Sequence, residues 1–202
     1  GILAASMTLA CGLLTRERVK QVRAEKFSFS QFANLFKNKP WIILTSIGIC
    51  TNFFNGFRYA VAAYIFQYCM GGDITVGSLI INYTVFMAFG EVTCMIFGGV
   101  SPKFTAWVGS KRMAFILSSI VCLVLSVAFF FVPMTPSSIW IMITLVVLTS
   151  VGVGIFSPLL WSMYADVADY ATETFGTSST GLIFSSGTMA QKFGGAVSGS
   201  LI

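Results

Sequence analysis

Long apolar runs set the limits on what this 202-residue chain can become. They cover residues 41–69, 77–99, 113–132, 139–164 and 180–202, and residues 1–14 read as the tail of one more. A helix rising 1.5 Å per residue needs about 20 such residues to cross the hydrocarbon layer of a bilayer. Hydrophobic residues make up 56% of the chain and charged residues 9%. A soluble domain carries roughly 25% charged residues to cover its surface. These numbers exclude a soluble enzyme, a disordered tail and a nucleic-acid module. They predict an all-α polytopic membrane protein whose principal partner is the lipid bilayer. The chain starts at Gly1 and stops at Ile202 inside apolar runs, so the expectation is an internal piece of a longer protein.

The charges give an orientation. Arg16, Arg18, Lys20, Arg23, Lys26, Lys37 and Lys39 fall between the first two spans, and Lys103, Lys111 and Arg112 between the third and fourth. Two spans separate these groups, so both lie on one side. The positive-inside rule makes that side the cytoplasm. Loops 15–40, 100–112 and 165–179 are thus expected inside, in a multi-pass protein of the cell (inner or plasma) membrane. The last loop is acidic, with Asp166, Asp169 and Glu173. Within loop 15–40, Phe29, Phe32 and Phe36 share one helical face beside Lys37 and Lys39, which predicts a short helix lying in the membrane surface.

The chain has no His, and its five Cys (Cys11, Cys50, Cys69, Cys94 and Cys122) are far apart. No His-ligated metal, Ser-His-Asp triad or CxxC pair can be built. No catalytic set and no resident cofactor are expected. Asn82-Tyr83-Thr84 matches a glycosylation sequon, but it is set aside because it falls inside an expected span.

Three charges interrupt the apolar runs: Arg58, near Asn52 and Asn55; Glu91; and Lys192, near Thr188 and Gln191. An ionisable group within a membrane costs several kcal/mol and marks function by default. Each also has a structural reading, in which Arg58 snorkels and Glu91 or Lys192 merely pairs with an opposite charge. Three together point to a polar cavity lined by several helices. The last run is rich in small residues, and Gly195-x-x-x-Gly199 permits close helix approach.

The segment Pro158-Leu-Leu-Trp161-Ser-Met-Tyr-Ala-Asp166-Val-Ala-Asp169-Tyr170, followed by Thr180-Gly-Leu-Ile-Phe-Ser-Ser186 and Gln191-Lys192-Phe193-Gly194, resembles the glycoside–pentoside–hexuronide:cation symporters. These are the melibiose-permease-like branch of the major facilitator superfamily. Asn38-Lys39-Pro40-Trp41, Arg58 with Tyr64 and Gly71, and Phe131-Val132-Pro133 fall where that family has similar residues. The resemblance implies a C-terminal helix bundle, from the end of helix 6 (1–14) through the central cytoplasmic loop (15–40) to helices 7–11 (41–202). The N-terminal bundle of the same full-length chain would be the structural partner, and without it this segment would not transport.

The resemblance further implies symport of a sugar or glycoside, coupled to Na+ or H+. Lys192, Thr188 and Glu91 are the candidates for cation coupling. Asn52, Asn55, Arg58, Trp161 and Gln191 are those for substrate, and Asp166, Asp169 and Tyr170 those for a cytoplasmic gate. Tyr59, Tyr64 and Trp161 could stack on a sugar or simply pack. Glu91 could carry a proton or pair with Arg58. The sequence departs from the family after Asp-x-x-Asp-Tyr, where Ala171 and Thr172 stand before Glu173. It departs again where Thr177, Ser178 and Ser179 replace expected basic residues. A lysophospholipid-type transporter of the same fold, with Arg58 on a phosphate, and a non-transporting receptor are the alternatives.

Overall fold

The computed structural model describes residues 2–14, 35–76, 79–175 and 180–201. The described residues hold six α-helices: α1 (Ile2–Leu14), α2 (Lys39–Tyr64), α3 (Tyr83–Val108), α4 (Lys111–Phe130), α5 (Ile139–Phe175) and α6 (Thr180–Ser200). Helices α3, α4 and α5 are long and apolar enough to cross a membrane. The expected surface helix falls largely on residues 15–34, outside the described residues.

Local chemistry sets the helix ends. Asn38 caps α2, its side chain accepting from the Trp41 N–H at 3.2 Å, with Pro40 in the first turn. Asn82 caps α3 in the same way, accepting from the Val85 N–H at 2.9 Å. Gly109, at φ +79°, closes the other end of α3 in the left-handed conformation.

Three of the expected spans correspond to helices with different bounds. The span expected over 77–99 begins at Tyr83 and runs to Val108. The apolar stretch before it forms a small antiparallel hairpin, β1 (Ile74–Val76) against β2 (Leu79–Ile81), with Ile74 opposite Ile81. Asn82 therefore sits at the mouth of α3 rather than inside a span. The helix expected to stop near Tyr164 continues to Phe175. At 37 residues α5 is about 55 Å long, well beyond a hydrocarbon layer of about 30 Å. Asp166, Asp169 and Tyr170 therefore lie on a helical extension and not in a loop. The run expected over 41–69 is helical to Tyr64 and then widens into a turn of π-helix, Ile65–Cys69.

The helices pack through small residues, as expected where lipid removes the hydrophobic drive between helices. A Cβ added to Gly194 on α6 would lie 2.5 Å from the Ile49 carbonyl and 3.0 Å from Asn52 Cβ on α2. One added to Gly154 on α5 would lie 2.6 Å from the Cys94 carbonyl on α3. Gly152 faces Cys122 and the Ser118 carbonyl on α4. Phe66, Phe86, Ile139, Met142 and Val146 fill one core near the hairpin. Leu35, Trp41, Leu44, Leu160, Tyr164 and Ile183 fill another near the basic end.

Candidate functional site

The structure sorts the candidate residues into three places along the bundle. The first is the end of α5 nearest the Lys111–Arg112 pair. There Lys111 Nζ donates to both Asp166 carboxylate oxygens at 2.8 Å. Both side chains are about half exposed. Asp169 and Tyr170 are exposed on the next turn. Of the three gate candidates, Asp166 is thus engaged within this bundle.

The second place is the seam between α2 and α6. Ile183, Gly187, Ala190, Gly194 and Ser198 form the buried stripe of α6. At 100° per residue, Lys192 falls on the opposite side of the helix, with Thr188 one turn before it. Both are exposed, and Lys192 makes no ion pair among the described residues. The Thr188 hydroxyl donates to the Ser185 carbonyl at 2.8 Å. Gln191 is half-buried at the edge of the seam. On α2, Asn52 packs against Gly194 and donates to the Gly48 carbonyl at 2.8 Å, so its amide is engaged on its own helix. Asn55 is half-buried. Trp41 Nε1 ties the two helices by donating to Ser186 Oγ at 2.7 Å. Trp161 stacks on Phe184 with ring centres 6.4 Å apart and planes 2° apart, and it touches Tyr164.

The third place is the Arg58 cluster, toward the hairpin end. Arg58 Nη2 donates to Ser150 Oγ on α5 at 2.9 Å. Its guanidinium carbon lies 5.9 Å from the centre of the Tyr59 ring. The Tyr59 hydroxyl donates to Glu91 Oε1 on α3. Glu91 is therefore engaged with Tyr59, and the Arg58–Glu91 ion pair is not formed. Gly90 makes room for this arrangement. A Cβ there would stand 2.9 Å from Ser150 Oγ and 3.4 Å from Arg58 Nη2.

Four members of these sites escaped sequence reasoning: Ser150, Gly90, Lys111 as the partner of Asp166, and Ser186 as the partner of Trp41. Ser150 and Gly90 carry no charge and sit in apolar runs. The small residues Gly90, Cys94 and Gly98 recur at four-residue spacing, and that spacing is the one signal that marks the α3 face packed on α5.

Long apolar helices, close small-residue seams and a few charges within the apolar runs define a multi-pass helical membrane bundle of transporter type. The comparisons carry this one step further. The family described as MFS/sugar transport protein matches residues 1–202. The chain belongs to that family, within the major facilitator superfamily. It is also similar to a protein of Pseudescherichia vulneris described as "Uncharacterized 29.9 kDa protein in crtE 3'region", with 29% identity over 121 residues. That match covers 60% of this chain and 43% of the relative, so the chain spans less than half the length of the relative it matches. No solved structure matches the chain significantly.

Proposed function

We propose that this chain is the C-terminal bundle of a secondary transporter that carries a sugar or glycoside together with Na+ or H+ by alternating access. The observation that carries the reading is the position of Lys192. Its ammonium stands on the face of α6 opposite the packed seam, with no counter-charge among the described residues. A membrane bundle that leaves a cation there needs anionic partners from elsewhere. Carboxylates of an N-terminal bundle of the same full-length chain meet that need. A bound Na+ or proton then competes with Lys192 for those carboxylates, which links ion binding to movement of the two bundles.

Thr188 and Gln191 border Lys192 on α6, and their polar groups suit a hydrated path. Asn55 and Gln191, each half-buried, are the residues this reading assigns to sugar hydroxyls. Glu91 is the second proton-carrying candidate, and its hydrogen bond to Tyr59 gives it a fixed orientation. The Lys111–Asp166 pair marks the basic end against which an opposing bundle would close. That end is the cytoplasmic one under the positive-inside rule.

The test is uptake of labelled glycosides, pentosides and hexuronides by the full-length protein in vesicles, with Na+ and proton gradients imposed separately. Accumulation under one gradient is expected, and Lys192→Ala should abolish it while leaving expression intact. Unchanged coupled uptake in Lys192→Ala would refute the role of Lys192.

A further inference from the structure

A cavity of about 260 Å³ opens beside Arg58, between α2, α3, α4 and α5. Its inner wall is buried and apolar: Ala62, Phe86, Met87 and Val146. Phe57, Phe130 and Met134 are exposed at its rim. Besides Arg58, the polar side chains in the lining are Ser126 and Thr149. Both hydroxyl hydrogens are committed, donating to the Cys122 carbonyl at 2.7 Å and the Leu145 carbonyl at 2.8 Å on their own helices.

Arg58 itself is under-satisfied. Its Nη2 reaches Ser150, but Nε and Nη1 are buried with no hydrogen-bond partner. A buried guanidinium without a counter-charge is costly. The neighbouring carboxylate, Glu91, is held by Tyr59. A sugar would find one charged group and two hydroxyl oxygens able only to accept, too few to match its ring of hydroxyls. A two-tailed lipid exceeds the volume, which lies just below the usual range for small-molecule sites of about 300–1,000 Å³. An anion on a small apolar body fits both charge and lining.

We propose that this cavity binds a small monoanionic amphiphile, its carboxylate on Arg58 and its apolar body among Ala62, Phe86, Met87 and Val146. The site is separate from the Lys192 face and stands or falls independently of sugar transport. Arg58 supplies the charge complement, Ser150 holds the guanidinium, and Gly90 leaves the room for both.

The experiment is calorimetric titration of octanoate into the full-length protein in lipid nanodiscs, with empty nanodiscs subtracted for partition. Octan-1-ol, octyltrimethylammonium and inorganic phosphate serve as comparison probes. Saturable one-to-one octanoate binding is expected, without matching binding of the alcohol or the cation. Losing a hydrogen bond to a charged group should weaken octanoate binding by at least about tenfold in Arg58→Gln. Met134→Trp, at the exposed rim, should weaken it as well while leaving the helices packed, and it carries the test if Arg58→Gln does not fold. Absence of saturable binding would overturn the proposal. So would octan-1-ol binding as tightly as octanoate, inorganic phosphate displacing octanoate on its own, or a folded Arg58→Gln or Met134→Trp that binds octanoate like the unaltered protein.

Discussion

The pair α2–α6 and the trio α3–α4–α5 are built on the same packing device and differ in what they carry. Both close through glycines: Gly194 against Ile49 and Asn52 in the pair, Gly154 against Cys94 in the trio. The three helices of the trio meet the length and apolarity of a membrane span. The pair carries Asn52, Asn55, Arg58, Gln191 and Lys192, whereas Glu91 is the one of the three interrupting charges that falls on the trio. Close packing therefore does not require a uniformly apolar helix. Where two polar helices are nonetheless held as tightly as apolar ones, their polar groups have a use beyond crossing the bilayer.

The comparison breaks most sharply at Gly194. Gly194→Val forces side-chain atoms into the Ile49 carbonyl and the Phe53 N–H. Overpacking of this kind costs about 1–3 kcal/mol or more, so loss of the monodisperse fraction on size exclusion is expected. Gly199→Ala is the internal control, because a Cβ there meets nothing within 4 Å. An unchanged elution profile for Gly194→Val would show that the pair is not held at this seam.

A smaller effect is expected at the basic end of the same seam. Trp41→Phe keeps the ring and removes the bond to Ser186. About 1 kcal/mol of stability should go with it, read as a lowered melting temperature in detergent. An unchanged melting temperature would mean that packing alone joins α2 to α6 there.

The smallest effect belongs to the ion pair linking α4 to α5. Lys111 and Asp166 are 44% and 54% exposed, so Lys111→Ala should cost at most about 1 kcal/mol, and less in high salt. A larger, salt-independent loss would assign the pair a structural weight that its exposure does not support.

The helices were legible because apolar runs of about 20 residues have few other solutions. Their ends were less so. Ile74–Val76 and Leu79–Ile81 are apolar and short, and such runs do not distinguish strand from helix by pattern. Asn82 as a cap was the available cue. Asp166, Asp169 and Glu173 suggest a loop on sequence alone, because clustered charge usually marks solvent. They instead decorate a helix that has left the hydrocarbon layer, its buried side kept apolar by Ala168 and Ala171.

The charged residues of the site stood out because lipid makes charge expensive. Their partners did not. Ser150 is one small residue among many until the fold brings it to Arg58, 92 positions away. Thr188 and Lys192 could be placed on one face by helical spacing alone. That this face lies opposite the seam depended on the positions of Gly187, Ala190 and Gly194 against α2.

The most direct measurement compares two exposed positions of this bundle in the full-length protein. In a cysteine-free background, Lys192→Cys and Leu123→Cys are each reacted with a water-soluble maleimide. Leu123 is 63% exposed on the apolar helix α4, and Lys192 is exposed on the polar pair. The account expects rapid labelling at position 192, slowed by the coupling ion or substrate, and no labelling at position 123, which it assigns to the lipid side. Equal protection of both positions would contradict it, since the polar face of α6 would then line no hydrated path.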